Sequence, residues 1–174
     1  MIRPRRRQRG FATLFFVALF ALSGCAARSI RAEIDIAASP AIVWEVLSDL
    51  RAYVAWNPFT PKIDGTLAVG EKLVLHVQLV DGKKLREQGQ RVTIVDPLQA
   101  IGWQTQVLSR RELLAHRLQT LTPLPNGGTR YTTTDTFSGS LVPLVMSLYR
   151  KDMERGFAKM AAGLKARAES LSRP

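Results

Sequence analysis

The chain has 174 residues, 46% of them apolar, with 25 Lys and Arg against 14 Asp and Glu, a formal net charge of +11. Five of those cations (Arg3, Arg5, Arg6, Arg7 and Arg9) precede residue 25, which leaves 20 basic against 14 acidic side chains, +6, on a length that buries one domain's core; no nucleic-acid partner is expected. One cysteine excludes a disulfide framework, and His76 and His116 lie forty residues apart with no i+4 partner, so neither a metal site nor a cofactor is expected.

Residues 1–24 have the order of an export signal: five arginines without an acid, the apolar run 11–22, then Ser23 and Gly24. Twelve residues span about 18 Å as a helix, short of the ~30 Å hydrocarbon core, so a permanent transmembrane helix is the weaker reading. Leu22-Ser23-Gly24-Cys25 resembles a bacterial lipoprotein lipobox. That resemblance implies cleavage before Cys25, a diacylglycerol on its thiol, a tether over 25–28 and a domain over 29–174. It implies a lipid-anchored place in the cell envelope, on the periplasmic side, with the outer membrane favoured in a Gram-negative cell because Ala26 stands where aspartate would retain it. A general secretory signal that ends in small residues by chance is the alternative. Arg6-Arg7 is followed by Gln8 and Arg9 rather than an apolar residue, which argues against twin-arginine export.

Residues 29–36 alternate Ile30, Ala32, Ile34 and Ile36 with Arg31, Glu33 and Asp35, the pattern of a half-buried strand. Ser39-Pro40 supplies an N-cap and a proline in the first turn, and Ile42, Val43, Val46, Leu47 and Leu50 make the stripe of a helix over 40–48. A second short helix over 50–56 stops at Asn57-Pro58. From Phe59 to Gly139 strands alternate with turn chemistry at Asp64-Gly65, Asp81-Gly82, Asp96-Pro97 and Asn126-Gly127-Gly128, with runs over 72–80, 86–95, 100–108, 112–122 and 129–138. Pro143 then begins a long helix to about 170, with Leu144, Leu148, Met153, Phe157, Met160 and Leu164 on or near one stripe. Its excess of Lys and Arg reads as a solvated outer face or as an attraction to an anionic membrane surface.

The order of elements, together with Ile36-Ala37-Ala38-Ser39-Pro40, Val43-Trp44, Leu47, Trp56-Asn57-Pro58-Phe59, 124–131, Phe137-Ser138-Gly139 and 155–160, resembles the helix-grip superfamily of START-like proteins, also called the SRPBCC or polyketide cyclase/dehydrase-like group. The resemblance covers about 29–171. It implies an α+β helix-grip fold: a curved antiparallel sheet of about seven strands, two short helices after the first, wrapped around the last helix with an apolar cavity between. It specifies fold and leaves function open, since lipid carriers, receptors, cyclases and dehydratases share it.

The residues expected at that cavity are Trp56, Phe59, Trp103, His116, Tyr131, Thr133, Phe137, Met153, Phe157 and Met160, because methionines and flat rings line adaptable pockets. For proton chemistry the pair is His116 with Asp135. If Pro123 lies opposite Gly128, His116 lies opposite Asp135; a slip by an odd number of residues puts the two on opposite faces. His76 is expected on a polar outer face. Three functions follow, in this order: a membrane-tethered module that binds a hydrophobic small molecule or lipid; a cyclase or dehydratase acting through His116 and Asp135 with Tyr131 as proton donor; and an envelope module that binds another protein, favoured if Trp103, Phe137 and Phe157 fill the cavity.

Overall fold

The computed structural model describes residues 28–105 and 111–173. The expected export signal, Cys25 and the start of the expected tether lie outside the described residues. The expected architecture is present: β1 (Arg28–Ile36), α1 (Pro40–Ser48), a 3₁₀ helix (Leu50–Ala55), β2 (Lys62–Gly65), β3 (Lys72–Val77), β4 (Arg86–Asp96), β5 (Ala100–Thr105), β6 (Leu114–Pro123), β7 (Thr129–Ser138) and α2 (Val142–Leu171). The strands form one antiparallel sheet in the order β1-β7-β6-β5-β4-β3-β2. Strands adjacent in sequence therefore pair from β2 to β7, and β1 lies on the far edge beside β7.

Local chemistry sets the path between β1 and β2. The Ser39 hydroxyl accepts from the Ile42 N–H at 3.5 Å, and Asp49 Oδ1 accepts from the Arg51 and Ala52 N–H groups at 3.1 and 3.3 Å. Each satisfies helix-end donors that have no partner within the helix. Asn57 Oδ1 then accepts from the Phe59 and Thr60 N–H groups at 3.1 and 2.8 Å. This Asx turn swings the chain from the 3₁₀ helix towards β2 and sends Phe59 inwards.

The β6–β7 register differs from expectation by one residue. Pro123 pairs with Thr129, and Arg117, not His116, lies opposite Asp135. The cause is the turn. Leu124 N–H donates to the Gly128 carbonyl at 2.8 Å, and Gly127 N–H donates to the Leu124 carbonyl at 3.0 Å, with Gly127 at φ +79°. That is a three-residue loop with glycine in the left-handed position, where the expected pairing needs four residues. A slip of one residue exchanges the two faces of β6. Ala115, Arg117, Gln119 and Leu121 face inwards, and His116 faces outwards.

The 30-residue α2 packs on β1, β7 and α1. Its buried side is Val142, Met146, Met153, Phe157, Met160 and Leu164. Leu144 and Leu148, expected on this side, are 56% and 58% exposed. Leu144 stands nine residues before Met153, and Leu148 nine before Phe157. Nine residues at 100° each is half a turn out of phase. Two glycines admit the 56–60 segment close to the helix: a Cβ on Gly156 would overlap the Phe59 ring, and one on Gly163 would overlap the Trp56 carbonyl oxygen.

Candidate functional site

Between the concave face of the sheet and the first half of α2 lies a chamber of about 380 Å³. Small-ligand sites run from roughly 300 to 1,000 Å³. Leu75 and Val77 of β3, Trp103 of β5, Ala115 of β6 and Phe137 of β7 form its apolar wall, and Val145, Tyr149 and Met153 of α2 roof it. Phe59, placed by the Asn57 turn, closes one end. At the mouth, Arg86 Nη1 donates to the Tyr149 hydroxyl at 3.3 Å, with the guanidinium 5.2 Å from the ring centroid. This pair spans from sheet to helix.

The floor carries one buried ion pair. Arg117 and Asp135 oppose each other across β6 and β7, and Arg117 Nη2 donates to Asp135 Oδ2 at 3.2 Å. Both line the chamber, and they are 7% and 8% exposed. The guanidinium stacks over Phe157 at 4.1 Å from the ring centroid and sits 5.8 Å from that of Phe59. The two rings meet edge to face at 5.6 Å. Aromatic faces hold the cation in an apolar setting but supply no hydrogen-bond acceptor. Arg117 Nε and Asp135 Oδ1 have no partner among the described residues, so the pair keeps one donor and one acceptor in reserve. Burial pushes the Asp135 carboxyl above the ordinary carboxylate range, against the pull of Arg117. Gln90 and Thr105 add polar groups, with Gln90 Nε2 donating to Thr105 Oγ1 at 3.4 Å.

The expected residues therefore separate. Phe59, Trp103, Phe137, Met153 and Asp135 line the chamber. Trp56, Tyr131, Thr133, Phe157 and Met160 are buried in the packed core behind or beside it. Tyr131 donates to Gln119 Oε1 at 2.7 Å, and burial pushes its phenol up, so the proton donor of the cyclase scheme is held in a closed pair. The His116–Asp135 dyad does not form. His116 Nε2 meets Thr93 Oγ1 at 3.2 Å on the outer face of the sheet. His76 likewise faces outwards, with Nε2 2.7 Å from Asp64 Oδ2. Arg117 was missed because a charged residue reads as surface; the signal for it was its parity with Ala115 and Leu121 on β6. Among the described residues no group of three His, Cys, Asp or Glu could hold a metal, and no helix is long and apolar enough to cross a membrane.

A family profile described as polyketide cyclase / dehydrase and lipid transport matches residues 27–169. No curated protein matches. Among solved structures, the Zhui aromatase/cyclase from Streptomyces sp. R1128 superposes with a TM-score of 0.67 at 20% identity, over 84% of this chain and 96% of that one. Norcoclaurine synthase from Thalictrum flavum, in complex with dopamine and hydroxybenzaldehyde, gives 0.65 at 14% identity over 100% of each chain. A protein of unknown function from Staphylococcus aureus gives 0.63 at 13% identity, over 86% and 99%. At these identities the similarity is one of fold.

Proposed function

The chain belongs to the polyketide cyclase / dehydrase and lipid transport family, and from that premise we propose that it binds a hydrophobic, oxygen-bearing small molecule or lipid in the chamber, as an envelope protein tethered to the membrane through an acylated Cys25. The carrying observation is a chamber of about 380 Å³ whose wall is apolar and whose floor holds a single ion pair with an unused donor and acceptor. Apolar area supplies affinity, and a buried polar pair rejects ligands that leave it unsatisfied. Trp103 and Phe137 line the space rather than fill it, which favours a small ligand over a protein-interaction module.

The test is native mass spectrometry of the chain purified from membranes in mild detergent, followed by extraction of the bound molecule. A diacylglyceryl mass on Cys25 and a co-purifying apolar molecule with a hydroxyl or carbonyl support the reading. An unmodified protein that is empty, and that takes up no apolar probe, overturns it.

A second reading, a cyclase or dehydratase, is favoured by the raised Asp135 carboxyl beside a fixed guanidinium. In that scheme Asp135 exchanges the proton and Arg117 steadies developing negative charge on a substrate oxygen. Asp135→Asn decides between the two: binding kept with turnover lost marks the enzyme, whereas an unchanged fate of the bound molecule marks the carrier.

A further inference from the structure

Three of the eight exposed large apolar side chains among the described residues, Leu141, Leu144 and Leu148, fall within eight residues, at the i, i+3, i+7 spacing of one helix face. They flank the chamber mouth: Val145 and Tyr149, one residue along from each exposed leucine of α2, line it. The first two turns of α2 are consequently apolar on three sides, with Val142 and Met146 in the core, Val145 and Tyr149 on the chamber, and Leu144 and Leu148 towards solvent; the exposed Ser147 alone is polar, and its hydroxyl donates to the Leu144 carbonyl at 2.9 Å. Exposed leucines contiguous with an apolar chamber mouth form a patch that calls for a cover.

Charge indicates what covers it. Residues 150–151 are Arg-Lys, and residues 83–86, Lys-Lys-Leu-Arg, approach from the other lip, where Arg86 reaches Tyr149. Lys83, Lys84, Arg86, Arg150 and Lys151 are exposed. The nearby acids are engaged: Asp81 with Lys159 at 2.6 Å, Glu154 with Arg150 at 2.8 Å, Asp152 with Arg155, and Glu87 on the rim 3.8 Å from His76 Nδ1. Chain geometry agrees. Arg28 pairs with Phe137, four residues before Leu141, so the polypeptide enters the domain at the end of the sheet where α2 begins. Residue 25 is three residues earlier in sequence, at most roughly 11 Å along the chain.

We propose that this face docks on an anionic phospholipid bilayer, with Leu144 and Leu148 below the headgroups, Lys83, Lys84, Arg86 and Lys151 against lipid phosphates and the chamber mouth turned to the membrane. The placement is independent of which molecule fills the chamber. An apolar ligand then passes between acyl chains and chamber without crossing water, and the Arg86–Tyr149 pair stands in its path.

The test uses the full chain with Cys25→Ser, which removes the single native thiol, and a nitroxide label on Leu148→Cys, Leu144→Cys or, at the opposite end of β7, Asn126→Cys. All three carry the same N-terminal segment, so any anchoring by that segment is common to them. On phosphatidylethanolamine–phosphatidylglycerol vesicles the labels at 148 and 144 are expected to collide with oxygen about tenfold more, relative to a water-soluble nickel complex, than the label at 126. Changing Lys83, Lys84 and Lys151 to Glu is expected to return them to the value at 126. Labels at 148 and 144 that stay as water-accessible as 126 overturn the proposal. So does immersion on phosphatidylcholine vesicles that the charge changes leave intact, or a dimer in lipid-free solution that immobilises the 148 label, which would make the face a self-interface.

Discussion

Replacing Arg117 by Met keeps the volume and the contact with Phe157 but leaves Asp135, 8% exposed, without its counter-charge. Removing one partner of a buried pair costs about 3–5 kcal/mol when the survivor stays ionised. Asp135 has an escape, because burial already raises its carboxyl, and loss of Arg117 raises it further. A carboxyl whose folded value lies above its unfolded value contributes stability that is full below the unfolded value and lost as pH rises through the folded one, at up to ~1.4 kcal/mol per pH unit. The full penalty is therefore expected at pH 8 and about 1–2 kcal/mol at pH 5. At about 2–4 °C per kcal/mol for a domain of this size, the pH 8 melting temperature falls by roughly 6–20 °C. Adding Asp135→Leu removes the stranded group and is expected to restore stability to within about 1–2 kcal/mol of the parent at both pH values. Urea unfolding followed by circular dichroism at pH 5 and 8 reads this directly. A loss of equal size at both pH values, with no rescue by the double change, would refute the buried pair as described.

Gly163→Ala, which gains about 1 kcal/mol in an ordinary helix interior, is expected to lose about 1–3 kcal/mol here because the new methyl meets the Trp56 carbonyl; a thermal melt that rises instead contradicts the close crossing. His116→Ala is expected to cost about 1 kcal/mol through the Thr93 contact and to leave ligand affinity unchanged, as titration with the extracted ligand would show. Below pH 4 the parent is expected to lose stability, because partners hold Glu33, Asp35, Asp64, Asp81 and Glu169 below the ordinary range and their contribution disappears as pH falls through the folded values. An acid limb in urea midpoints that high salt weakens would support this assignment.

What the sequence determined by itself was local. Alternation in 29–36, the Ser39-Pro40 start and the Asp-Gly, Asp-Pro and Asn-Gly-Gly breaks each act over a few residues, and together they delivered the order of elements and the wrapped sheet. The expectation that Tyr131, Thr133 and Phe137 face inwards holds, and Asp135, at the same parity on β7, faces inwards with them. Tertiary structure decided the rest. Whether the β6–β7 loop counts three residues or four depends on Gly127 adopting φ +79°, and that single residue put Arg117 in the chamber and His116 outside it. How far each inward side chain stands from α2 decided that Asp135 and Phe137 reach the chamber while Tyr131 and Thr133 pack behind it. Helical phase by itself sets Leu144 and Leu148 half a turn from Met153 and Phe157, but which of those two sides is buried was decided by the position of the sheet. Periodicity is a property of neighbours along the chain, whereas register and depth depend on residues twenty to a hundred positions away, which no local pattern records.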